Sequence, residues 1–180
     1  MTTTAQSAAT STRVTPELWI EVQQFYARQM PLLEGRRLEE FLETLTDDCT
    51  LEHFPFGWRF EGKVQLLAEM KARRGDASAP RTEEVSARVA RERNIPYYNG
   101  LVYRYWFDRM LIEPQPDGTL QVRFQAIVSM TDGQGKVSWE PTTVVDDVLV
   151  RDAGDGELRT RDRVITHDSA NWADKVHNPA

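Results

Sequence analysis

Residues 120–130, LQVRFQAIVSM, alternate between apolar and polar side chains along almost their whole length. Six apolar side chains share one face: Leu120, Val122, Phe124, Ala126, Val128 and Met130. A period of two is typical of a β-strand, and an unbroken apolar face indicates that one side of the strand is buried. This stretch therefore predicts a central strand of an antiparallel sheet.

Three further β-rich runs surround this strand, at residues 102–113, 137–150 and 157–167. Pro116-Asp117-Gly118, Asp132-Gly133-Gln134-Gly135 and Gly154-Asp155-Gly156 separate the runs. These residue types are typical of hairpin turns. The C-terminal half of the chain is therefore predicted to form a four-strand antiparallel meander.

The N-terminal half carries helical patterns. Thr15-Pro16-Glu17 is a helix start, and apolar residues then recur at helical spacing as far as Gly35. Two shorter helices are predicted at residues 38–46 and 63–74, with strands at 49–54 and 58–61 between them. We expect an α+β fold shaped as a cone, in which the three N-terminal helices pack in the concavity of a strongly curved antiparallel sheet.

Composition excludes several classes of protein. The chain has 180 residues, a net charge of −6, one cysteine and three histidines. We expect one domain at residues 15–168, a disordered tail at 1–14 and a C-terminal tail at 169–180. The acidic balance disfavours nucleic-acid binding, and no apolar run is long enough to span a membrane. The single cysteine fits a cytoplasmic protein. Dispersed histidines and missing phosphate-binding glycine motifs predict a protein without metal or cofactor.

His53 is the most informative candidate for catalysis. It continues the alternation of Cys49 and Leu51, so its side chain is expected to point towards the helices. An imidazole with a pKa near ~6.5 suits proton abstraction at neutral pH. The other interpretation is a core histidine bonded to a backbone carbonyl, and spacing alone leaves both open.

Two adjacent aspartates interrupt an apolar strand. Asp146 lies among Val144, Val148 and Val150, and Asp147 lies on the other face, so one of the two is expected to face inward. A buried, protonated carboxyl can donate a hydrogen bond to a developing oxyanion. The alternative is an ion pair with an arginine of the 159–163 strand, whose alternating arginines are expected on a solvated face.

Aromatic and histidine side chains near the strand ends are candidates for ligand contacts. Tyr105 and Trp106 belong to an unusually aromatic strand that either lines a pocket for a flat ligand or packs within the sheet. His167, followed by Asp168, is either one half of an acid–base pair at the rim of the cone or a surface histidine. Trp172 either covers the open end as a lid or anchors the terminus.

Two segments resemble a known superfamily. Residues 45–55, LTDDCTLEHFP, with the preceding EGRRLEEF at 34–41, resemble the second-helix-to-first-strand region of nuclear-transport-factor-two-like cone proteins. These include SnoaL-like polyketide cyclases and ketosteroid isomerases. Residues 104–107, 111–114 and 117–118 resemble the third-strand hairpin of the same superfamily and of ring-hydroxylating dioxygenase β subunits. The resemblance spans about residues 15–168 and is nearest to the SnoaL-like group.

The resemblance implies roles for particular positions. The general-base aspartate of ketosteroid isomerases falls on His53, their oxyanion acid on Asp146 and their first-helix tyrosine on Gln29. Tyr105 occupies the position of a histidine in scytalone dehydratase. We therefore expect His53, Asp146 and Tyr105 to be catalytic. The substrate is expected to contact a second set of side chains: Trp58, Trp106, Gln29, His167 and Trp172.

Two functions are compatible with these features. The first is a cofactor-independent cyclase, isomerase or dehydratase, acting as a homodimer on an aromatic or polyketide-like carbonyl compound in secondary metabolism. The second is a catalytically silent cone, either a dioxygenase β-type subunit or a ligand-binding scaffold. A pocket in which His53 meets a carboxyl or phenol group favours the enzyme, and a pocket filled by apolar side chains favours the scaffold.

Overall fold

The computed structural model describes residues 13–54, 57–73 and 102–168. Most of the expected N-terminal tail lies outside these ranges, as does the C-terminal tail with Trp172. The elements in chain order are α1 (Pro16–Glu34), α2 (Leu38–Glu43), β1 (Leu45–Phe54), β2 (Trp58–Glu61), α3 (Gly62–Arg73), β3 (Val102–Pro114), β4 (Leu120–Thr131), β5 (Val137–Trp139), β6 (Thr143–Arg151) and β7 (Leu158–His167). The prediction of an α+β chain with three helices in its N-terminal half is confirmed for the described residues.

The start of α1 follows from its first residues. The Thr15 hydroxyl accepts a hydrogen bond of 3.2 Å from the Leu18 amide, and Pro16 occupies the first helical position, where its missing N–H is not needed. The helix then buries one face against the sheet, through Val22, Phe25, Tyr26, Gln29 and Met30. Among the described residues, no helix combines the length and hydrophobicity that crossing a bilayer requires.

The sheet is mixed rather than wholly antiparallel. Its strand order is β2-β1-β7-β6-β4-β3, and β5 pairs with β4 outside this path. β1 and β7 run parallel, whereas the other pairs are antiparallel. The prediction of an antiparallel sheet was therefore wrong at this pair, because alternation shows which face of a strand is buried and not which strand lies beside it.

The curvature of the sheet also differs from the prediction. The sheet is not strongly curled, so the expected strongly curved cone was wrong in this respect. The alternation of apolar residues shows which face of a strand is buried and not how far the sheet bends, so the sequence pattern did not determine the curvature. The described pairings contain three register shifts, one each in β1–β7, β3–β4 and β6–β7. The helices therefore cover one face of an open sheet.

The run predicted as a single strand at 137–150 forms two strands. Glu140-Pro141-Thr142 separates β5 from β6, and Pro141 has no N–H to donate to a ladder. β6 pairs with residues 120–126 of β4, and β5 pairs with residues 129–131 of the same strand. Both strands consequently lie along one edge of β4.

Two apolar clusters hold the helices on the sheet. The first joins α1 to β3, β4 and β6 and contains Tyr26, which packs edge-on against Phe25 and Phe124. The second joins α2, α3, β1 and β2 through Phe41, Leu42, Leu45, Cys49, Phe60 and Leu66. Half-buried side chains lie at the margins of both clusters, among them Leu33, Leu51, Tyr105 and Ile165. These margins border the candidate site.

Leu149 and Leu111 provide a matched test of this packing. Leu149 is 0% exposed in the first cluster, and Leu111 is 52% exposed on β3. We expect Leu149→Ala to lower the free energy of unfolding by about 2–5 kcal/mol, because it removes buried methyl groups and leaves a cavity. Leu111→Ala should change it by no more than about 0.5 kcal/mol. Urea unfolding of the two variants measures both, and equal losses would contradict this assignment of the core.

Candidate functional site

Two histidines meet where β1 and β7 end. His53 lies opposite Ile165 in the parallel pair, and His167 lies two residues further along β7 on the same face. Nδ1 of His53 is 3.2 Å from Nε2 of His167, and the two rings stack with centroids 5.5 Å apart and an interplanar angle of 19°. The sequence suggested each histidine separately. The two histidines meet because β1 and β7 are adjacent strands, and the sequence did not predict that adjacency.

Trp58 completes an aromatic cluster around His53. It is the register partner of His53 in β2, and the two ring centroids are 5.8 Å apart with a tilt of 55°. His53, Trp58 and His167 are all half-buried. The structure therefore brings together three of the predicted site residues at the edge of the second apolar cluster.

His167 is biased towards its neutral form. Burial lowers the pKa of His167, and the negative charge of Asp168 opposes this effect only in part. A neutral imidazole has one nitrogen with a free lone pair, so Nε2 of His167 can accept the Nδ1 proton of His53. In that tautomer Nε2 of His53 carries a lone pair and can act as a base.

The inward aspartate is Asp147. It is 2% exposed, and its carboxylate accepts hydrogen bonds from the Tyr26 hydroxyl at 2.8 Å and from the Arg163 guanidinium at 2.8 and 2.6 Å. Burial and the Asp147 charge raise the pKa of the Tyr26 phenol well above its usual value. This is the ion pair with the 159–163 strand that the sequence left open. Tyr26 therefore stays protonated as a donor.

Gln29 extends this buried network. Its Oε1 accepts from Arg163 at 2.7 Å, and its Nε2 donates to the Thr44 and Thr160 hydroxyls at 2.8 and 3.2 Å. Gln29 is 0% exposed. Both ends of the amide are occupied within the protein, so the structure places this residue in the interior framework, where it was predicted to contact substrate.

Asp146 lies on the opposite face of β6. Its carboxylate is 45% exposed and lies 3.6 Å from the Arg123 guanidinium, its cross-strand neighbour on β4. The structure thus does not bring Asp146 to the histidines.

Arg163 was expected to lie on a solvated face together with Arg159 and Arg161. It does not, because the β6–β7 register shifts at Arg161. The shift turns Arg163 inward while Arg159 stays outside.

The two aromatic residues of β3 face opposite sides. Tyr105 is half-buried on the inner face beside the first cluster, and its amide donates to Glu34 at 2.9 Å. Trp106 is 55% exposed on the outer face, where its indole N–H donates to the Ser129 hydroxyl at 3.0 Å. Tyr105 therefore borders the interior, whereas Trp106 lies away from the histidine pair.

Glu140 is a further acidic residue near the inner face, which the sequence pattern did not single out. Its amide donates to the Val128 carbonyl at 2.9 Å, which continues the β4–β5 register and places Glu140 opposite Val128 on the inner face. Burial raises the pKa of its carboxyl to about 8. The available signal was an acid in the apolar run 137–150, between Trp139 and Pro141.

The described residues do not gather a metal-ligand set. Within residues 13–54, 57–73 and 102–168, no three histidine, cysteine, aspartate or glutamate side chains are grouped closely enough to hold a metal ion. The two histidines are the grouped nitrogen donors of the site, and they bond to each other. Two imidazoles in contact can accept a proton and pass it on.

Comparison with known proteins gives the family. A model of the SnoaL-like domain matches residues 19–164, so the chain belongs to the SnoaL-like family. It is similar to the structure of Aln2 from a Streptomyces species, with 33% identity over 86% of this chain and 93% of that one and a TM-score of 0.64. No match is found among curated proteins.

Two further solved structures are similar over comparable lengths. ActVI-ORFA from Streptomyces coelicolor is 27% identical over 84% of this chain and 98% of its own, with a TM-score of 0.64. A protein from Catenulispora acidiphila, solved in complex with S-DNPA, is 30% identical over 86% of this chain and 96% of its own, with a TM-score of 0.61.

The adjacent aspartates allow a matched test of the buried network. Asp147→Asn should lower the free energy of unfolding by about 3–5 kcal/mol, because it leaves the Arg163 charge buried without a counter-ion. Asp146→Asn breaks an exposed pair and should cost about 0–1 kcal/mol. Chemical denaturation distinguishes them. A cost for Asp146→Asn as large as that of Asp147→Asn would refute the assignment of the inward residue.

His167 makes stability depend on pH. Its pKa is lowered in the folded protein, so the folded state resists protonation and the unfolded state binds the proton first. Stability should therefore be full above the unfolded pKa of about 6.5 and decline as the pH falls below it. His167→Gln should reduce that decline. Proton NMR of the ring should show a midpoint below 6.5, and a higher midpoint would be inconsistent with the burial effect.

Proposed function

We propose that this protein is a cofactor-independent acid–base enzyme that acts on an aromatic or polyketide-like carbonyl compound by cyclisation, isomerisation or dehydration. The observation that carries the proposal is the contact of 3.2 Å between the imidazoles of His53 and His167, beside Trp58. A half-buried imidazole with a positioned partner is the usual arrangement of a general base. Membership of the SnoaL-like family supports the substrate class.

In this proposal His53 removes a proton from the carbon next to a carbonyl group. Nδ1–H of His53 donates to the neutral Nε2 of His167, which fixes the tautomer and leaves Nε2 of His53 as the acceptor. After the transfer, the imidazolium of His53 keeps that hydrogen bond, so His167 stabilises the charged form. His167 is thus a positioning residue.

Trp58 supplies the surface for a flat ligand. Its ring lies 5.8 Å from that of His53 and is tilted by 55°, so a planar substrate stacked on the indole would present its edge to the imidazole. The Catenulispora relative, which is bound to S-DNPA, supports a small-molecule ligand for this fold. Tyr105 borders the same interior from β3 and contributes a phenol there.

A proton-exchange assay tests the base without knowledge of the natural substrate. 2-Tetralone, a bicyclic aromatic ketone, is the probe, and NMR in D2O follows the loss of its α-hydrogens. The protein should accelerate exchange, and His53→Ala should slow it by about 10²-fold or more, the usual contribution of a general base. Glu52→Ala is the control, since Glu52 neighbours His53 on the opposite face and pairs with Arg59.

Two results would distinguish an enzyme from a catalytically inactive protein of the same fold. Full exchange activity in His53→Ala would remove His53 from the role of base. Absence of exchange in the unaltered protein, combined with binding of the ketone, would favour the ligand-binding scaffold. His167→Gln should lower the exchange rate while it leaves the affinity for the ketone unchanged, as expected for a group that acts through His53.

A further inference from the structure

A patch of large apolar side chains lies on the sheet face opposite the helices. Four of them project from β3 and β5, on either side of β4, and are 48–57% exposed: Val102, Trp106, Val137 and Trp139. Ile127 of β4 is the register partner of Trp106 and lies between the two strands. We call these five residues the outer patch. Exposed apolar patches of this kind mark interaction sites, in which tryptophan is enriched.

The ring of Trp106 is held in place on the outer patch. Its indole N–H donates to the Ser129 hydroxyl at 3.0 Å, and Ser129 is itself buried. A large side chain that is already fixed loses little conformational entropy when a partner covers it. The hydrogen bond therefore favours association over this part of the patch.

The charged residues on both sides of Trp106 indicate what the partner is. Arg104 precedes Trp106 by two residues and Asp108 follows it by two, so all three lie on the same face, and the two charges are about 13 Å apart along the strand. The guanidinium of Arg104 contacts Glu34 at 3.4 Å and stays 53% exposed. A surface with one positive and one negative end is complementary to a copy of itself turned by half a rotation. The outer patch therefore fits a second copy of this chain.

We propose that two copies of this chain form a two-fold dimer through the outer patch, with the axis running across β3 at Trp106. The two Trp106 rings then meet, and Arg104 of each subunit faces Asp108 of the partner subunit. Trp139 meets Val144 of the partner subunit, because β5 and β6 lie along the same edge of β4 at equal distances on either side of the axis. Sheets that pack face to face lie about 10 Å apart, a gap that interleaved side chains fill. The inner faces point away from this interface and stay open.

Sedimentation of the full chain over a range of concentrations tests the interface. The unaltered protein should have twice the chain mass of 20.7 kDa. Trp106→Glu should raise the dissociation constant of the dimer about 100-fold or more, because it removes the central ring and places two like charges at the axis. Trp19→Glu is the matched control, since Trp19 is an exposed tryptophan on α1, and it should leave the dimer unchanged. A monomeric unaltered protein, or a dimer that survives Trp106→Glu, would overturn the proposal.

Charge reversal tests the two-fold arrangement without relying on the tryptophan. Arg104→Asp places two aspartates opposite each other in the dimer, and Asp108→Arg places two arginines there, so each variant alone should dissociate about 10-fold more readily or worse. An equimolar mixture of the two variants should dimerise again, because every Asp then faces an Arg of the other variant. Damage to the fold of either variant would not be repaired by mixing. Two variants that stay monomeric when mixed, or that dimerise unchanged when alone, would contradict this pairing.

Discussion

The Arg163 guanidinium and the Asp147 carboxylate are buried together, and a buried charge is tolerated only when its partners are complete. Both groups have such partners here. Asp147 receives hydrogen bonds from Arg163 and Tyr26, and Arg163 also donates to Gln29, whose amide binds Thr44 and Thr160. This network fixes α1, the end of α2, β6 and β7 relative to one another. Loss of the Asp147 carboxylate leaves the Arg163 guanidinium in the interior without its counter-ion.

The candidate site depends on that fixed position of β7. Once Arg163 is turned inward, Ile165 and His167 follow on the same face of the strand, because side chains alternate. The parallel pairing then places His53 of β1 opposite Ile165, and His167 lies two residues further along β7 on the same face. The bulge at Arg161 is therefore as important to the site as the histidines are. Without it, Arg163, Ile165 and His167 would face the other side of the sheet.

The sequence predicted features that depend on local patterns. The capping of α1 by Thr15, the inward direction of His53 and the inner face of β4 follow from residue types and periodicity, and the structure has them. Features that depend on which strand or side chain lies beside a residue in the fold were not predictable. Either aspartate of β6 could face inward, and the choice between Asp146 and Asp147 depends on Arg163, whose direction a bulge sets. The missed Glu140 belongs to the same class, since a strand break at Pro141 places it on the inner face.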